Sequence, residues 1–417
     1  MNLKLLSPST VVSPIQENLS ENNFLLKLTG SKSETNRLLL LQALYPNISL
    51  ENISNSDDSV VMQNALKTNS SIIDIHHAGT AMRFLTAFFS IQEEREIVLT
   101  GSSRMKERPI QILVDALRQL GAEIEFLENE GFPPIKINGK KLLNNKVILK
   151  ANVSSQYISA LLLIAPKLEN GLDLTLEGEI TSVPYINMTL SLLNEIGIET
   201  SFINNKIIVK PQFKIQNSKY IIESDWSSAS YFYSIIALSP VGSQVSLSSY
   251  KENSLQGDSV LVEIYKNFGV ETTYKDNAIQ LIKVSDCLLS NVKCQLNNCP
   301  DIAQTITVTC FGLGIACHLT GLHTLKIKET DRLEALKIEL TKLGVNITVT
   351  NDSLTLESSK KINPNVKIAT YNDHRMAMAF APLALKIPIE IENADVVSKS
   401  YPTFWEDLKV IGFNITE

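Results

Sequence analysis

The segment LGAEIEF at residues 120–126 recurs four times, as IGIETSF at 196–202, FGVETTY at 268–274, LGVNITV at 343–349 and IGFNITE at 411–417. The glycines of these segments, Gly121, Gly197, Gly269, Gly344 and Gly412, are almost evenly spaced. Each segment follows an amphipathic stretch such as PIQILVDALRQL at 109–120, a pattern that predicts a helix, a glycine cap and then a strand. The nearly constant spacing predicts a repeated α/β unit of about 70 residues.

A second series of segments lies out of phase with the first, and in each a small or polar cluster precedes a strongly apolar helix. These clusters stand at Ser31, Gly79, Ser154, Ser227, Asp301 and Asp373, and every interval except the short first one matches the spacing of the glycines. Any α/β protein alternates helices and strands, but two series with one spacing favour six true copies, the first of them abbreviated or permuted. Each copy would contain a buried apolar helix, an amphipathic outer helix and several strands.

Six copies can divide three and three, with the chain leaving one domain near Gly30 and returning near residues 223–225. A chain of 417 residues also favours two to three domains. We therefore expect an α/β (α+β) protein with a first three-copy domain at 31–224 and a second formed by 1–30 plus 225–417.

Composition excludes several classes of function. The charged fraction of 20% and hydrophobic fraction of 44% are globular values, and the net charge of −6 disfavours nucleic-acid binding by bulk electrostatics. No apolar run suits a membrane span or a signal peptide, which favours a cytoplasmic location. Five Cys without a CxxC pair predict reduced thiols, and the His and Cys spacings predict no metal site.

Arginine is rare in this chain, and most of it stands beside the predicted helix starts. Only eight of the 38 basic residues are Arg, and six of the eight lie in GSKSETNR, HAGTAMR with SSRMKERP, KETDR and YNDHR. Because a helix start offers free N–H donors and a guanidinium binds anions in a bidentate manner, the clusters predict a small, multiply anionic substrate. Ser and Asp at these positions could equally be ordinary helix caps, and an Arg such as Arg332 could serve a structural ion pair.

The segment KETDR at 328–332 predicts a helix that carries Lys328 and Arg332 on one face, with Glu329 beside them. Asp301, at another helix start, is a second candidate carboxylate for proton transfer. The sequence contains no GxSxG, GxGxxG or complete P-loop motif, so no cofactor is predicted. Two carboxylates among many cations favour group transfer between anionic metabolites by acid/base and electrostatic means.

At these residues the chain resembles the enolpyruvyl transferases, and among them the 5-enolpyruvylshikimate-3-phosphate synthases. The resemblance runs through nearly the whole sequence, in GSKSETNR, SDD at 56–58, AGTAMRFLTA, LTGSSRMKERPI, VSSQYISALL, SVPYI, ESDWSSASYF, NSLQGD, PDIAQT, IKETDRL, YNDHRMAM and SKSYPTFW. It implies a two-domain, inside-out α/β barrel-like fold of six βαβαββ-type units, three in each domain.

The resemblance also implies a reaction and its substrates. The enolpyruvyl group of phosphoenolpyruvate would pass to the 5-hydroxyl of shikimate 3-phosphate with release of phosphate, a step of chorismate and aromatic amino acid biosynthesis (EC 2.5.1.19). The expected enzyme is a cytoplasmic monomer and a target of the herbicide glyphosate, with these two small molecules as partners and without nucleic acid, membrane, metal or cofactor.

The site residues implied by the resemblance fall into three sets. Phosphoenolpyruvate would be bound by Lys32, Gly79, Thr80, Arg108, Gln156, Arg332, Arg375 and Lys399. Shikimate 3-phosphate would be bound by Lys32, Ser33, Arg37, Ser154, Ser155, Gln156, Ser182, Asp301, Thr324 and Lys328, with Tyr185 nearby. The expected catalytic residues are Glu329 for the methylene proton, Asp301 for the hydroxyl proton and Lys32 for the leaving phosphate.

The chain departs from the family pattern at four positions. His77 and Thr324 stand where relatives carry Asn, Val183 replaces a Lys, and Phe84 follows Arg83 where Pro is common. Phe84 could shift its helix, whereas Gly79 is retained and leaves room for glyphosate.

Two other functions compete with this interpretation. The sister enzyme that transfers enolpyruvate to UDP-N-acetylglucosamine usually carries a Cys in its catalytic loop, and LTGSSRMKERPI at 99–110 contains none. A non-enzymatic repeat scaffold that binds RNA or an anionic partner is disfavoured by the acidic pI and the aromatic fraction of 6%.

Overall fold

The computed structural model of the chain describes residues 1–6, 25–150, 154–178, 180 and 183–417. Its strands are β1 (Leu3–Leu6), β2 (Leu25–Leu26), β3 (Ile48–Glu51), β4 (Ile72–Asp74), β5 (Glu96–Thr100), β6 (Glu123–Phe126), β7 (Ile135–Asn138), β8 (Lys146–Lys150), β9 (Leu172–Glu177), β10 (Thr200–Ile203), β11 (Lys206–Val209), β12 (Ser218–Ile221), β13 (Gln244–Ser248), β14 (Val270–Lys275), β15 (Ala278–Lys283), β16 (Asn291–Gln295), β17 (Ala316–Thr320), β18 (Ile347–Val349), β19 (Ser353–Leu356), β20 (Lys367–Ile368), β21 (Ile389–Ile391) and β22 (Asn414–Thr416).

The α-helices are α1 (Lys32–Leu44), α2 (Asp57–Lys67), α3 (Gly79–Ser90), α4 (Ser103–Lys106), α5 (Gln111–Leu120), α6 (Ser155–Ile164), α7 (Val183–Glu195), α8 (Trp226–Leu238), α9 (Leu261–Lys266), α10 (Ala303–Leu313), α11 (Arg332–Lys342), α12 (His374–Phe380) and α13 (Phe404–Val410). Short 3₁₀ helices lie at Ala165–Lys167, Gly257–Val260, Pro300–Ile302, His323–Ile327, Ala381–Leu385 and Ala394–Lys399. No helix of the described ranges is long and apolar enough to cross a membrane.

Contacts between residues divide the chain into two compact units. One is Gly30–Ile222, called here the inserted unit, and the other is Met1–Thr29 with Glu223–Glu417, called here the terminal unit. Each unit is a mixed α/β body with three sheets in its described part.

Five of the sheets share one strand arrangement, which confirms the repeated α/β unit. Their orders are β4-β5-β7-β6, β8-β9-β11-β10, β2-β13-β15-β14, β16-β17-β19-β18 and β20-β21-β1-β22. In every case the first pair is parallel and the other two pairs are antiparallel. The chain order β8-α6-β9-α7-β10-β11 is the predicted βαβαββ unit in a complete form.

The sixth sheet explains why the first interval, from Ser31 to Gly79, is short. It contains only β3 and β12, which run parallel, and the chain passes from β3 through α2 to β4 without a hairpin. The copy that begins with α1 is therefore abbreviated. Its second strand, β12, comes from the far end of the inserted unit, since Ser218 pairs with Ile48.

Buried helices lie at the centre of each unit, as the apolar segments predict. In the inserted unit α1, α3 and α6 pack against one another, and in the terminal unit α10 packs against both α8 and α12. Three of these helices, α6, α8 and α10, are buried on nearly all sides, as their apolar composition requires. The glycine caps are also confirmed, because Gly121, Gly197, Gly269, Gly344 and Gly412 all have positive φ angles between 75° and 103°.

Candidate active site

Arg37 in the inserted unit is a buried cation whose hydrogen bonds run to neutral oxygens. Its side chain on α1 is 3% exposed and donates to Thr189 Oγ1 at 2.8 Å and to Ser159 Oγ at 3.0 Å. Further bonds reach the carbonyl oxygens of Ser33 at 2.8 Å and Tyr185 at 3.4 Å. Desolvation lowers the pKa of Arg37 to about 10. The charge of the buried Glu34, on the same helix, opposes this fall in pKa. A guanidinium held by neutral oxygens next to the start of a helix suits the binding of an anion.

Arg83 and Arg108 are two further arginines of the same unit that lie close to each other. Arg83 is buried, donates to the carbonyl oxygens of Gly79 at 3.2 Å and Pro109 at 3.0 Å, and has an Nε atom without a partner among the described residues. Burial first, and then the charge of Arg108, lower the pKa of Arg83 to about 10. Two like charges held together indicate that an anion belongs beside them.

Gly79 is the first residue of α3 and lies against the guanidinium of Arg108. A Cβ added at Gly79 would stand 2.6 Å from Arg108 Nη1 and 2.9 Å from Nη2, so the missing side chain makes room for this arginine. The next residue, Thr80, accepts a hydrogen bond from Gln156 Nε2 at 3.1 Å. The structure thus brings the predicted residues Gly79, Thr80, Arg108 and Gln156 together at the starts of α3 and α6.

Lys32, at the start of α1, contacts a carboxylate of α2. Lys32 Nζ lies 3.2 Å from Asp58 Oδ2, and His77 Nε2 lies 4.0 Å from Asp58 Oδ1. Asp58 belongs to the SDD segment and was not predicted as a site residue. Ser33 is half-buried beside Lys32, and Ser154 caps α6 by accepting from the backbone N–H of Gln156 at 3.4 Å, with the buried Ser155 next to it. Ser182 lies outside the described residues.

The terminal unit contains a network of carboxylates around Arg332. This side chain is 2% exposed, and its nitrogens donate to Asp373 Oδ2 at 2.6 Å, Asp301 Oδ1 at 2.8 Å and Glu329 Oε2 at 2.8 Å. Burial lowers the pKa of Arg332, but Asp373, Glu329 and Asp301 outweigh it and raise that pKa above its usual value. Arg332 therefore holds both candidate catalytic carboxylates in place, and Asp373 is a partner that the sequence did not reveal.

Lys328 does not lie on a helix with Arg332, so that prediction is wrong. Lys328 follows the 3₁₀ helix His323–Ile327, and α11 begins only at Arg332, because Asp331 caps it by accepting from the N–H groups of Leu333 and Glu334, each at 3.1 Å. Lys328 Nζ nevertheless lies 3.5 Å from Asp301 Oδ1.

Arg375 completes the cationic side of this network. Its side chain is nearly buried and donates to the carbonyl oxygen of Asp301 and to Asp301 Oδ2, both at 3.2 Å. Its Nε atom has no hydrogen-bond partner among the described residues. Lys399 donates to the carbonyl oxygen of Asn372 at 2.6 Å. Asp301 is thus contacted by three cations, which suits a group that handles a proton during the reaction of an anion.

The two units differ in the charge that they present. The predicted residues of the inserted unit combine three cations, Lys32, Arg37 and Arg108, with uncharged hydrogen-bonding groups, which suits anion binding. Those of the terminal unit combine cations with carboxylates, which suits proton transfer to or from a bound anion.

Comparisons with known proteins agree with this chemistry. A family model described as EPSP synthase (3-phosphoshikimate 1-carboxyvinyltransferase) matches residues 49–408. The chain is 48% identical over 395 residues to a 3-phosphoshikimate 1-carboxyvinyltransferase of Bacteroides fragilis strain YCH46, covering 94% of this chain and 95% of the relative. It is 36% identical over 426 residues to the protein of that name from Haemophilus influenzae strain Rd, covering 93% and 96%.

This chain belongs to the EPSP synthase family.

Solved structures show the same fold. EPSP synthase from Acinetobacter baumannii superposes with a TM-score of 0.80 at 22% identity, with all of both chains covered. The enolpyruvyl transferase NikO from Streptomyces tendae superposes with a TM-score of 0.73 at 12% identity, covering 100% of this chain and 98% of the other. The expected two-domain α/β fold of this family is confirmed.

The departures from the EPSP synthase pattern have distinct structural settings. Phe84 is fully buried under Arg37, whose Cζ lies 5.5 Å from the ring centroid, and α3 runs unbroken through it. Val183 is the first residue of α7, and the Thr324 hydroxyl is buried without a hydrogen-bond partner among the described residues. His77 contacts Asp58, the same carboxylate that binds Lys32. Phe84 therefore contacts the predicted residue Arg37, and His77 contacts the carboxylate that binds the predicted residue Lys32.

Proposed function

We propose that this chain transfers the enolpyruvyl group of phosphoenolpyruvate to the 5-hydroxyl of shikimate 3-phosphate, giving 5-enolpyruvylshikimate 3-phosphate and phosphate. Membership of the family supports the reaction. The observation that carries the proposal for this chain is the pairing of Asp301 and Glu329 on Arg332, beside further cations. This arrangement offers two proton-handling groups next to groups that attract anions.

The cations of the inserted unit would bind the phosphate and carboxylate groups of the substrates. Arg37, Ser33, Ser154, Ser155, Gln156 and Ser182 would contact shikimate 3-phosphate, and Gly79, Thr80 and Arg108 would contact phosphoenolpyruvate. The burial of Arg37 and the proximity of Arg83 to Arg108 support these assignments, because both hold guanidinium groups in surroundings where an anion would be stabilised.

The terminal unit would supply the chemistry. Asp301 would bond the ring hydroxyls with Thr324 and Lys328 beside it, whereas Arg332, Arg375 and Lys399 would attract the phosphoenolpyruvate anion. Arg332 is already bonded to three carboxylates, so its contribution to binding would be mainly to hold Asp301 and Glu329. Arg375, with a buried Nε atom that lacks a partner among the described residues, is better placed to donate to the substrate.

The reaction would proceed by addition and elimination. The 5-hydroxyl oxygen bonds to C2 of phosphoenolpyruvate as Asp301 accepts its proton, and Glu329 protonates C3, which gives a tetrahedral intermediate with a methyl group. Glu329 then removes a proton from the methyl group as the C2–O bond to phosphate breaks. Lys32 would neutralise the departing phosphate, and the carboxyls recover their starting protonation states when protons exchange with solvent.

The remaining expectations belong to the same proposal. The domain at 31–224 would bind shikimate 3-phosphate, the domain formed by 1–30 plus 225–417 would carry the catalytic carboxylates, and the enzyme would act in the cytoplasm as a monomer without a cofactor.

The test is phosphate release by the purified protein from phosphoenolpyruvate, with shikimate 3-phosphate or UDP-N-acetylglucosamine as acceptor. Release that requires shikimate 3-phosphate supports the proposal. Release only with the nucleotide sugar assigns the sister activity, and release with neither supports the non-catalytic alternative.

A further inference from the structure

Asp258 is a buried carboxyl group that the proposed mechanism does not use. It lies in the NSLQGD segment, within the 3₁₀ helix Gly257–Val260, and is 6% exposed. Its Oδ2 atom accepts a hydrogen bond from Ser227 Oγ in the first turn of α8. The Ser227 hydroxyl oxygen in turn accepts from Arg375 Nη2 at 3.2 Å. A continuous chain of hydrogen bonds therefore runs from Asp258 to Arg375.

This chain of bonds fixes one end of the Arg375 guanidinium. The other hydrogen bonds recorded for its terminal nitrogens go to Asp301, through the carbonyl oxygen and Oδ2. Asp301 would take part in the reaction itself, so Ser227 is the anchor that stays constant through turnover. With its terminal nitrogens bonded to Ser227 and Asp301, the guanidinium keeps one buried N–H, that of Nε, without a partner among the described residues.

Asp258 also interacts electrostatically with Arg375, so its protonation state affects the charge around the guanidinium. Burial first, and the charge of Asp301 second, raise the pKa of Asp258 to about 7, although Arg375 and the Ser227 hydrogen bond oppose this rise. Asp225 and the Cys299 thiol are the other titratable groups coupled to it. Asp258 therefore changes between an acid and a carboxylate within the range in which enzymes are usually assayed.

We propose that Asp258 is a positioning residue that acts through Ser227 to hold Arg375 in the orientation that binds the anionic substrate. The inference rests on the proposed function, in which Arg375 contacts phosphoenolpyruvate. Asp258 itself would contact no reacting atom.

The decisive variants separate the hydrogen bond from the charge. Asp258→Ala and Ser227→Ala remove the anchor, and each raises the KM for phosphoenolpyruvate about tenfold with kcat changed by less than about twofold. Combining them causes no more than the larger single effect, because the two residues act as one unit. Asp258→Asn keeps an acceptor for Ser227, so it restores the KM to near the wild-type value at pH 6.

The pH dependence of the KM distinguishes a positioning role of Asp258 from a purely structural one, because a structural role would give the same KM ratio of variant to wild type at every pH. The ratio of the KM values of Asp258→Asn and wild type is close to one at pH 6, where both side chains are neutral. At pH 8 the variant binds phosphoenolpyruvate about threefold more tightly, because the wild-type carboxylate then offsets part of the Arg375 charge. The ionisation of phosphoenolpyruvate is the same for both proteins at a given pH, so it does not affect the ratio of their KM values.

Asp276→Asn is the matched control, since it makes the same chemical change at an exposed position in the turn between β14 and β15. It leaves both the KM and the pH ratio unchanged. Melting curves are recorded for every variant to show that it is folded. If Asp258→Ala does not fold, the KM of Ser227→Ala alone decides whether the anchor exists. An unchanged KM in Ser227→Ala, or no recovery in Asp258→Asn, overturns the inference.

Direct titration with phosphoenolpyruvate by calorimetry, with and without shikimate 3-phosphate, separates this inference from the proposed function. If wild type binds phosphoenolpyruvate but releases no phosphate, the proposed function fails while the dissociation constants of the variants still test the anchor. If wild type does not bind phosphoenolpyruvate under either condition, both fail.

Discussion

Replacing Gly79 by Ala should impair phosphoenolpyruvate binding without destabilising the fold. The new Cβ would stand 2.6 Å from Arg108 Nη1, whereas ordinary contacts begin at 3.4 Å, so the guanidinium must move by at least the difference between these distances. The atoms that it meets belong to the end of one side chain, so Arg108 yields and the backbone stays in place. Gly79 begins α3 and has a negative φ, so its backbone accepts Ala without strain.

A displacement of about 1 Å in a substrate-positioning residue can cost about 100-fold in catalysis. We therefore expect kcat/KM for phosphoenolpyruvate to fall about 10- to 100-fold, while the KM for shikimate 3-phosphate changes by less than about threefold. Wild type should be inhibited by glyphosate at sub-millimolar concentration, and the variant should require correspondingly more of the herbicide. Steady-state kinetics with each substrate varied in turn give kcat and both KM values. Melting curves show whether the variant is as stable as wild type.

The double variant Gly79→Ala with Arg108→Lys is the control for this mechanism. If the methyl group acts only by displacing the Arg108 guanidinium, it should add little to a protein that already lacks that group. Full additivity of the two changes, or a selective loss of shikimate 3-phosphate binding, would refute the reasoning.

Three further outcomes test other parts of the site. Glu329→Gln keeps an acceptor for Arg332 but no proton donor, so turnover should fall at least about 100-fold while calorimetry shows both substrates still bound; near-normal turnover would remove Glu329 from proton transfer. His77→Asn removes an imidazole beside Asp58, so the KM for phosphoenolpyruvate should vary less between pH 5.5 and 8 than in wild type, and parallel profiles would contradict this. The pKa of Asp258 is raised to about 7 in the folded protein, so between pH 4 and 7 unfolding releases a proton. As the pH rises through this range, the free energy of unfolding of wild type should therefore fall by up to about 1.4 kcal/mol per pH unit relative to Asp258→Asn. Denaturant midpoints of both proteins at each pH check this sign.

The repeat and its helix caps could be predicted because they depend on local sequence. Gly121 and its counterparts need a left-handed backbone after an amphipathic helix, and that requirement is visible within a dozen residues. The pairing of β12 with β3 could not be predicted, because two short strands so distant in the chain carry no signal of their partnership. The sequence indicated this pairing only indirectly, through the short interval between the first two polar clusters, Ser31 and Gly79.

The error at Lys328 had a signal that could have prevented it. Asp331 followed by Glu334 three residues later is a capping-box pattern, which places the helix start after Asp331 and excludes Lys328 from the helix. The charge network itself was harder to foresee. Asp373 and Asp301 belong to different copies of the repeat and converge on Arg332 only through tertiary packing, so sequence spacing did not identify Arg332 as their common partner.

The central claim is that this chain joins phosphoenolpyruvate to shikimate 3-phosphate, and product analysis tests it most directly. ³¹P NMR and mass spectrometry of a reaction with the purified protein should show one phosphate released for each molecule of a product that retains the shikimate phosphate and has gained the enolpyruvyl group. An unaltered mixture, or phosphate released without that product, would contradict the account.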